Sequence, residues 1–265
     1  MDLITLIGIT LASAMLILAF TMEGGHIGML LKPTSIMIVF GGTIGATLAG
    51  ASPDQIRSIP QSLKAILFQK LPEKQEVIEQ MVWLAEKARR EGLLFLENHL
   101  SEIPDPYLRK GLQLVIDGAE PEVVRSVMEN EMFAIEERHR KSRELFEAAG
   151  GYAPTMGIIG TVMGLIHVLA NLSNPETLGP AIAVAFTATL YGVASANVVF
   201  FPIGMRLKTI SEQELMIKAL MLEGVIALQA GNNPIIIRER LNAFVRPKKN
   251  QGDRKGERDV VAEKT

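Results

Sequence analysis

Cysteine is absent from all 265 residues, which excludes disulfides, thiolate metal sites and cysteine nucleophiles. A second absence is positional. Asp, Glu, Lys and Arg make up 21% of the chain, yet none occurs in four windows, roughly 3–22, 34–51, 150–172 and 177–205. A mean hydropathy of +0.23 alongside that charge content requires charge to be segregated from apolar blocks. The last two windows each hold a stretch of about 20 residues, enough to cross a hydrocarbon core of about 30 Å. The second window is shorter and Gly-rich, and it too reads as a span. No basic residues precede the first window, which begins after Met1-Asp2, and a second apolar block follows closely. That window therefore reads as a retained span and not as a cleaved signal peptide.

The third absence is chemical. No span contains an Asp, Glu, Lys or Arg, and a proton or cation relay through hydrocarbon normally needs an ionisable side chain. The chain is therefore not a complete ion machine alone. The missing acid, and the lack of an internal repeat between the two halves, argue against a self-contained channel or secondary transporter. No nucleophile–base, metal-ligand or phosphate-loop pattern appears, which argues against an enzyme.

What is present is a strong asymmetry of basic residues. Of the 27 Lys and Arg, 14 lie in 52–149 and 12 in 205–265, while the short loops 23–33 and 173–179 hold only Lys32. By the positive-inside rule both termini and the segment 52–149 are expected in the cytoplasm. The expected architecture is an all-α integral membrane protein with four transmembrane helices in two hairpins. Residues 1–51 form the first hairpin, with spans at about 3–22 and 34–51, and residues 52–149 a cytoplasmic helical domain. Residues 150–204 form the second hairpin, with spans at about 150–172 and 180–203. Residues 205–245 continue as a cytoplasmic helical extension, and the polar, aperiodic tail 246–265 reads as disordered.

Within 52–149, Pro60 to Lys70 reads as a short amphipathic helix ended by Pro72. Residues 74–99 carry Val77, Met81, Leu84, Ala85 and Ala88 at helical spacing. Arg89, Arg90 and Glu97 fall on that helix or at its end. DPYLRKGLQLVIDG is another helix, and the stretch after Pro121 runs directly into span three. Span four likewise continues past Pro202 towards Gly231.

Span three contains Pro154, Gly157, Gly160 and Thr161. Pro154 and Thr161 are seven residues apart, about 20° short of two full turns, and so share a face. The proline frees the Gly150 carbonyl one turn earlier. Such groups are tolerated in a membrane where they meet protein or a water-filled path. Close helix packing, with GxxxG at Gly160–Gly164, is the competing reading. Span four presents Ala181, Ala185, Ala188, Gly192 and Ser195 as one smooth stripe, with Thr187, Thr189 and Tyr191 beside it. His167, about 140° from the Pro154–Thr161 face and near the outer end of its span, reads as an interfacial hydrogen-bonding group.

Three stretches together resemble the MotA family, the multi-span stator subunits of the bacterial flagellar motor. They are ARREGLLFLE at 88–97, EERHRKSRELFEAAGGYAPTMGIIGTVMGLI at 136–166, and LGPAIAVAFTATLYGVASANVVFFPI at 178–203. The resemblance spans essentially residues 1–245. It implies a homo-oligomer in the bacterial inner membrane, five copies around two copies of a single-span MotB partner that brings the ion-carrying Asp. It implies no permanently bound cofactor, no nucleic acid, and membrane lipid as surroundings. Pro154 matches the family proline beside that Asp, and Pro202 the proline at the cytoplasmic end of span four. Arg89 and Glu97 match the pair that engages the rotor protein FliG, and Arg90 a secondary basic position. Sodium-driven members are similar at Thr161 and Thr189, whereas Ala188 stands where they carry a second threonine and resembles proton-driven members. The transported ion is thus proton or sodium, with the balance towards sodium. The rival resemblance, to ExbB- or TolQ-like energisers of envelope transport, fits the last hairpin but not the first.

Overall fold

A computed structural model of the chain describes residues 3–68, 71–173 and 175–245. Among these, all regular structure is helical: α1 Leu3–Met22, α2 Ile27–Leu30, α3 Pro33–Gly50, α4 Pro53–Phe68, α5 Lys74–Glu91, α6 Leu93–His99, α7 Pro106–Ile116, α8 Pro121–Ala170, α9 Pro175–Gln229 and α10 Pro234–Asn242. Four helices, α1, α3, α8 and α9, are long and apolar enough to cross a membrane. Two continue far past their apolar parts, with 50 residues in α8 and 55 in α9, so α8 alone is about 75 Å long at the α-helical rise. The expected four-span, two-hairpin helical architecture is what the chain adopts. The tail 246–265, expected to be disordered, lies outside the described residues.

Local chemistry explains where the helices start and stop. α4 begins at Pro53, seven residues before the expected start at Pro60, because Ser52-Pro53-Asp54-Gln55 closes a capping box. The Gln55 N–H donates to Ser52 Oγ (3.3 Å) and the Ser52 N–H to Gln55 Oε1 (2.8 Å). Pro53 stands at the first helical position, where no N–H is needed. Pro60 then falls inside the helix, at the cost of one backbone bond.

The expected helix over 74–99 is two helices. Gly92, at φ +80°, takes a backbone conformation open to few L side chains and separates α5 from α6. α7 is capped by Asp105, whose Oδ1 accepts from the N–H groups of Tyr107 (2.9 Å) and Leu108 (3.0 Å). It ends at Gly118, φ +76°, with the Gly118 and Ala119 N–H groups returning to the Val115 and Leu114 carbonyls.

By its contacts the chain divides into two compact units, one within Met1–Lys70 and Ile135–Glu212, the other within Leu71–Ala134 and Gln213–Thr265. The first holds the four apolar spans. α3 has a π-helical turn at Met37–Gly41, and α9 has one at Ser195–Phe200, immediately before Phe201-Pro202. The second unit has a conventional apolar core of α5, α7 and α10 with the outer parts of α8 and α9, centred on Ile78, Met81, Leu108, Leu112, Leu220 and Leu241. Val77, Met81, Leu84 and Ala85 are buried, as the helical spacing predicts. Lys218, 7% exposed, reaches Asp105 at 2.9 Å, so one carboxylate both caps α7 and neutralises a buried ammonium. The Tyr107 hydroxyl donates to the Met128 carbonyl (3.3 Å), and burial pushes that phenol's pKa above its ordinary value. On the surface, a hydrogen bond from Arg238 holds the Glu79 carboxyl below the usual range and links α10 to α5.

Candidate functional site

In the first unit α8 and α9 cross through small residues, and the crossing is tighter than any side chain permits. A β-carbon on Gly157 would stand 2.9 Å from the Ala188 carbonyl oxygen and 3.2 Å from Thr189 Cα. One on Gly164 would stand 2.7 Å from Ala185 Cβ, and one on Gly192 would lie on the Ala153 carbonyl oxygen. The stripe read from the sequence as Ala185, Ala188 and Gly192 is therefore met by Gly157, Gly160 and Gly164. Such contact gives dispersion and allows backbones to approach where water supplies no driving force. α3 packs on the same crossing. Its Ser35 hydroxyl, fully buried, donates to the Val184 carbonyl (2.9 Å), and a β-carbon on Gly42 would stand 2.7 Å from Met156 Sδ.

Two expected site residues are brought together. Thr161 Oγ1 of α8 and Thr189 Oγ1 of α9 share a hydrogen bond, and Thr161 Oγ1 also lies 3.0 Å from the Ala185 carbonyl and 3.1 Å from its own Gly157 carbonyl. Each hydroxyl has one proton. With the Thr161 proton on a carbonyl, the bond between the pair uses the Thr189 proton, and only lone pairs remain on the two oxygens. In that arrangement the half-buried pair offers free lone pairs that a cation could use.

The other expected residues are placed differently. Ala188 is fully buried, and a β-carbon on Gly160 would lie 2.6 Å from its methyl, so Ala188 fills the crossing itself. Pro154 lies within the continuous helix α8, half-buried. Gly150, whose carbonyl Pro154 frees, is buried, and a β-carbon there would stand 2.7–3.0 Å from the Phe201 ring. Pro202 follows Phe201 but faces the other way, onto a cavity of about 430 Å³ between α9 and α1 lined also by Ile4, Gly8 and Met205. His167 is exposed at the end of α8, where Asn171 donates to its carbonyl (2.8 Å).

In the second unit Arg89 and Arg90 end α5 and Glu97 lies on α6 beyond the Gly92 turn. All three are exposed, and none has an ion pair among the described residues. Behind them Phe95 packs edge-on to Trp83 at 5.6 Å and carries Lys87 Nζ 5.2 Å above its ring.

Sequence reasoning missed the Gly150–Phe201 contact and both π-helical turns. Pro202 was the available signal for the second, because a residue without an N–H leaves carbonyls of the preceding turn free to re-pair.

Comparison with known proteins decides the family. The Motility protein A N-terminal profile matches residues 6–92 and that of the MotA/TolQ/ExbB proton channel family residues 99–219. Chemotaxis protein PomA of Vibrio alginolyticus is 38% identical over 255 residues, covering 96% of this chain and 98% of that protein. The chain belongs to the MotA family of flagellar stator subunits. A further relative, the uncharacterised protein YtxD of Bacillus subtilis, is 40% identical over 245 residues, covering 92% and 90% of the two chains. The solved flagellar MotAB stator complex from Bacillus subtilis superposes with a TM-score of 0.86 at 35% identity, covering 92% of this chain and 96% of that one. The four-span chain is thus a multi-pass membrane protein of an ion-channel family and not an enzyme. The N-terminal profile covers the first hairpin, the part of the sequence that separated the stator resemblance from the transport energisers.

Proposed function

We propose that this chain is the ion-path and torque-transmitting subunit of a stator in the bacterial inner membrane, working with a single-span MotB-like partner. The feature that carries the reading is a span bundle with no ionised side chain but with a Thr161–Thr189 hydroxyl pair about two helical turns from Pro154 on the same face of α8. The missing carboxylate is supplied by the partner. Two partner helices within five copies of this chain satisfy that need, with both termini cytoplasmic. One charge crossing about 150 mV releases roughly 3.5 kcal/mol, several times RT and enough to bias a rotation step.

In this scheme Pro154 shapes α8 beside the partner's acid, and Thr161 and Thr189 offer oxygens to the passing ion. Ala188 sets the helix spacing behind them, and Pro202 permits the turn of α9 below. Sodium is favoured over a proton because a partly dehydrated sodium needs additional oxygen ligands, which the hydroxyl pair supplies. The exposed Arg89, Arg90 and Glu97 meet complementary charges on the rotor protein FliG.

The test is to co-express the chain with its partner in a motile host stripped of its own stators and to titrate sodium at fixed pH and membrane potential. Speed should rise and saturate with sodium, and Thr161→Ala should shift the half-saturating concentration upwards. Speed indifferent to sodium, with Thr161→Ala silent, would assign protons and remove Thr161 from the path.

A further inference from the structure

Between α1, α3 and α9 the first unit contains a partly open cleft of about 410 Å³. α1 supplies Ser13, Ile17 and Phe20 to its walls, α3 supplies Phe40, and α9 supplies Tyr191 and Val198. Every lining residue except Leu30 falls in one of the charge-free windows 3–22, 34–51 and 177–205, so the cleft lies at the depth of the hydrocarbon core. On the α9 side its wall includes the π-helical turn Ser195–Phe200, the part of α9 that α1 packs against.

The side chains of this cleft have no hydrogen bond to give. Its hydroxyls are all committed, Ser13 to the Ile9 carbonyl (2.8 Å), Ser195 to the Gly192 carbonyl (3.2 Å) and Tyr191 to the Leu30 carbonyl. With no charge and no uncommitted hydroxyl donor in the walls, an occupant gains apolar contact only. Water, which needs several polar partners, is poorly held there. An empty cleft is no better, because its lining atoms forfeit their dispersion contacts.

Shape separates the apolar occupants. From Leu190 to Phe200 the cleft follows α9 for about 15 Å at the helical rise. Spread over that length, 410 Å³ leaves a mean cross-section of about 27 Å². A helix about 10 Å wide presents roughly 80 Å², so a span of a second copy does not enter. A single extended hydrocarbon chain does. Within the chain no part of the apolar window of α1 is buried, so lipid reaches the cleft around that helix.

We propose that this cleft holds one acyl chain of a membrane phospholipid, lying along α9 against Tyr191 and the Ser195–Phe200 turn. The acyl chain fills the gap between α1 and α9 and so completes the contact of α1 with the span that bears Thr189. The proposal depends neither on the coupling ion nor on the rotor contact.

The experiment uses the full chain purified with its partner and reconstituted into vesicles of phosphatidylethanolamine and phosphatidylglycerol. A trace of the phosphatidylethanolamine carries a photoreactive diazirine in the middle of one acyl chain, and labelled residues are mapped by mass spectrometry after illumination. Leu11 and Leu18, on the exposed surface of α1, report ordinary boundary lipid. Phe40 and Val198, half-buried and lining the cleft, should be labelled as well. They should keep their label when excess unlabelled phospholipid is added shortly before illumination, whereas Leu11 and Leu18 should lose it. Ala194→Phe, which places a ring in the cleft, should abolish labelling of Phe40 and Val198 and leave Leu11 and Leu18 unchanged. Should that variant not assemble, Val198→Phe carries the same expectation, read at Phe40. No label at Phe40 and Val198 in the wild-type chain, or label there that exchanges as fast as at Leu11, would overturn the proposal. Label at these positions from a diazirine-bearing free fatty acid but not from the phospholipid would overturn it too.

Discussion

Gly192 of α9 lies so close to Ala153 of α8 that a β-carbon on it would meet the Ala153 carbonyl oxygen and stand 3.1 Å from Gly157 Cα. The obstacle is backbone on both sides, so no side-chain rotation relieves it. Gly192→Ala and Gly157→Ala should each cost about 1–3 kcal/mol by overpacking. The measurement is thermal unfolding of the purified complex, with Gly151→Ala, at a position with open space, as the unaffected control. Equal stability of all three variants would mean that the two helices do not meet here.

Gly150 and Phe201 form a second close pair, this time between backbone and a ring that can move. Gly150→Ala should displace the ring and slow swimming, while leaving co-purification with the partner intact. Adding Phe201→Leu, which removes the ring atoms in conflict, should restore much of the speed. Absence of rescue would show that Gly150 acts through something other than this contact.

The spans were legible in the sequence because charge segregation is a property of composition and survives without coordinates. The Ala185–Ala188–Gly192 stripe was legible for a similar reason, since four- and three-residue spacing fixes a helix face. The Gly150–Phe201 contact was not, because 51 positions separate the two residues and no local pattern joins them. The start of α4 was written in Ser52-Pro53-Asp54-Gln55, but Pro60 gave a louder and misleading boundary signal. Gly92 likewise interrupts a helical pattern whose apolar periodicity runs on past it. The pairing of Thr161 with Thr189 was within reach only through family resemblance, since the polar character of each is ordinary on its own helix.

In the second unit Asp105 performs two tasks, which separates two substitutions. Asp105→Ala removes the α7 cap and strands the buried Lys218 ammonium, and should cost about 3–5 kcal/mol. Lys218→Met keeps the cap and leaves Asp105, whose side chain is 24% exposed, partly solvated, and should cost clearly less. Denaturant unfolding of the assembled protein measures both. The reverse order would contradict the structure of this pair.

In the proposed scheme Pro154 is the residue on which energy coupling turns. Leucine at this position restores an N–H that can close on the Gly150 carbonyl and adds no charge. The Gly157–Gly192 crossing is untouched, so assembly should survive.

The most direct measurement is therefore swimming speed in a motile host without its own stators, given the MotB-like partner and either the wild-type chain or Pro154→Leu, with complex yield measured in parallel. The wild-type chain should restore swimming. Pro154→Leu should be paralysed at undiminished yield. Swimming by Pro154→Leu at wild-type speed would contradict a role for α8 in coupling ion flow to torque.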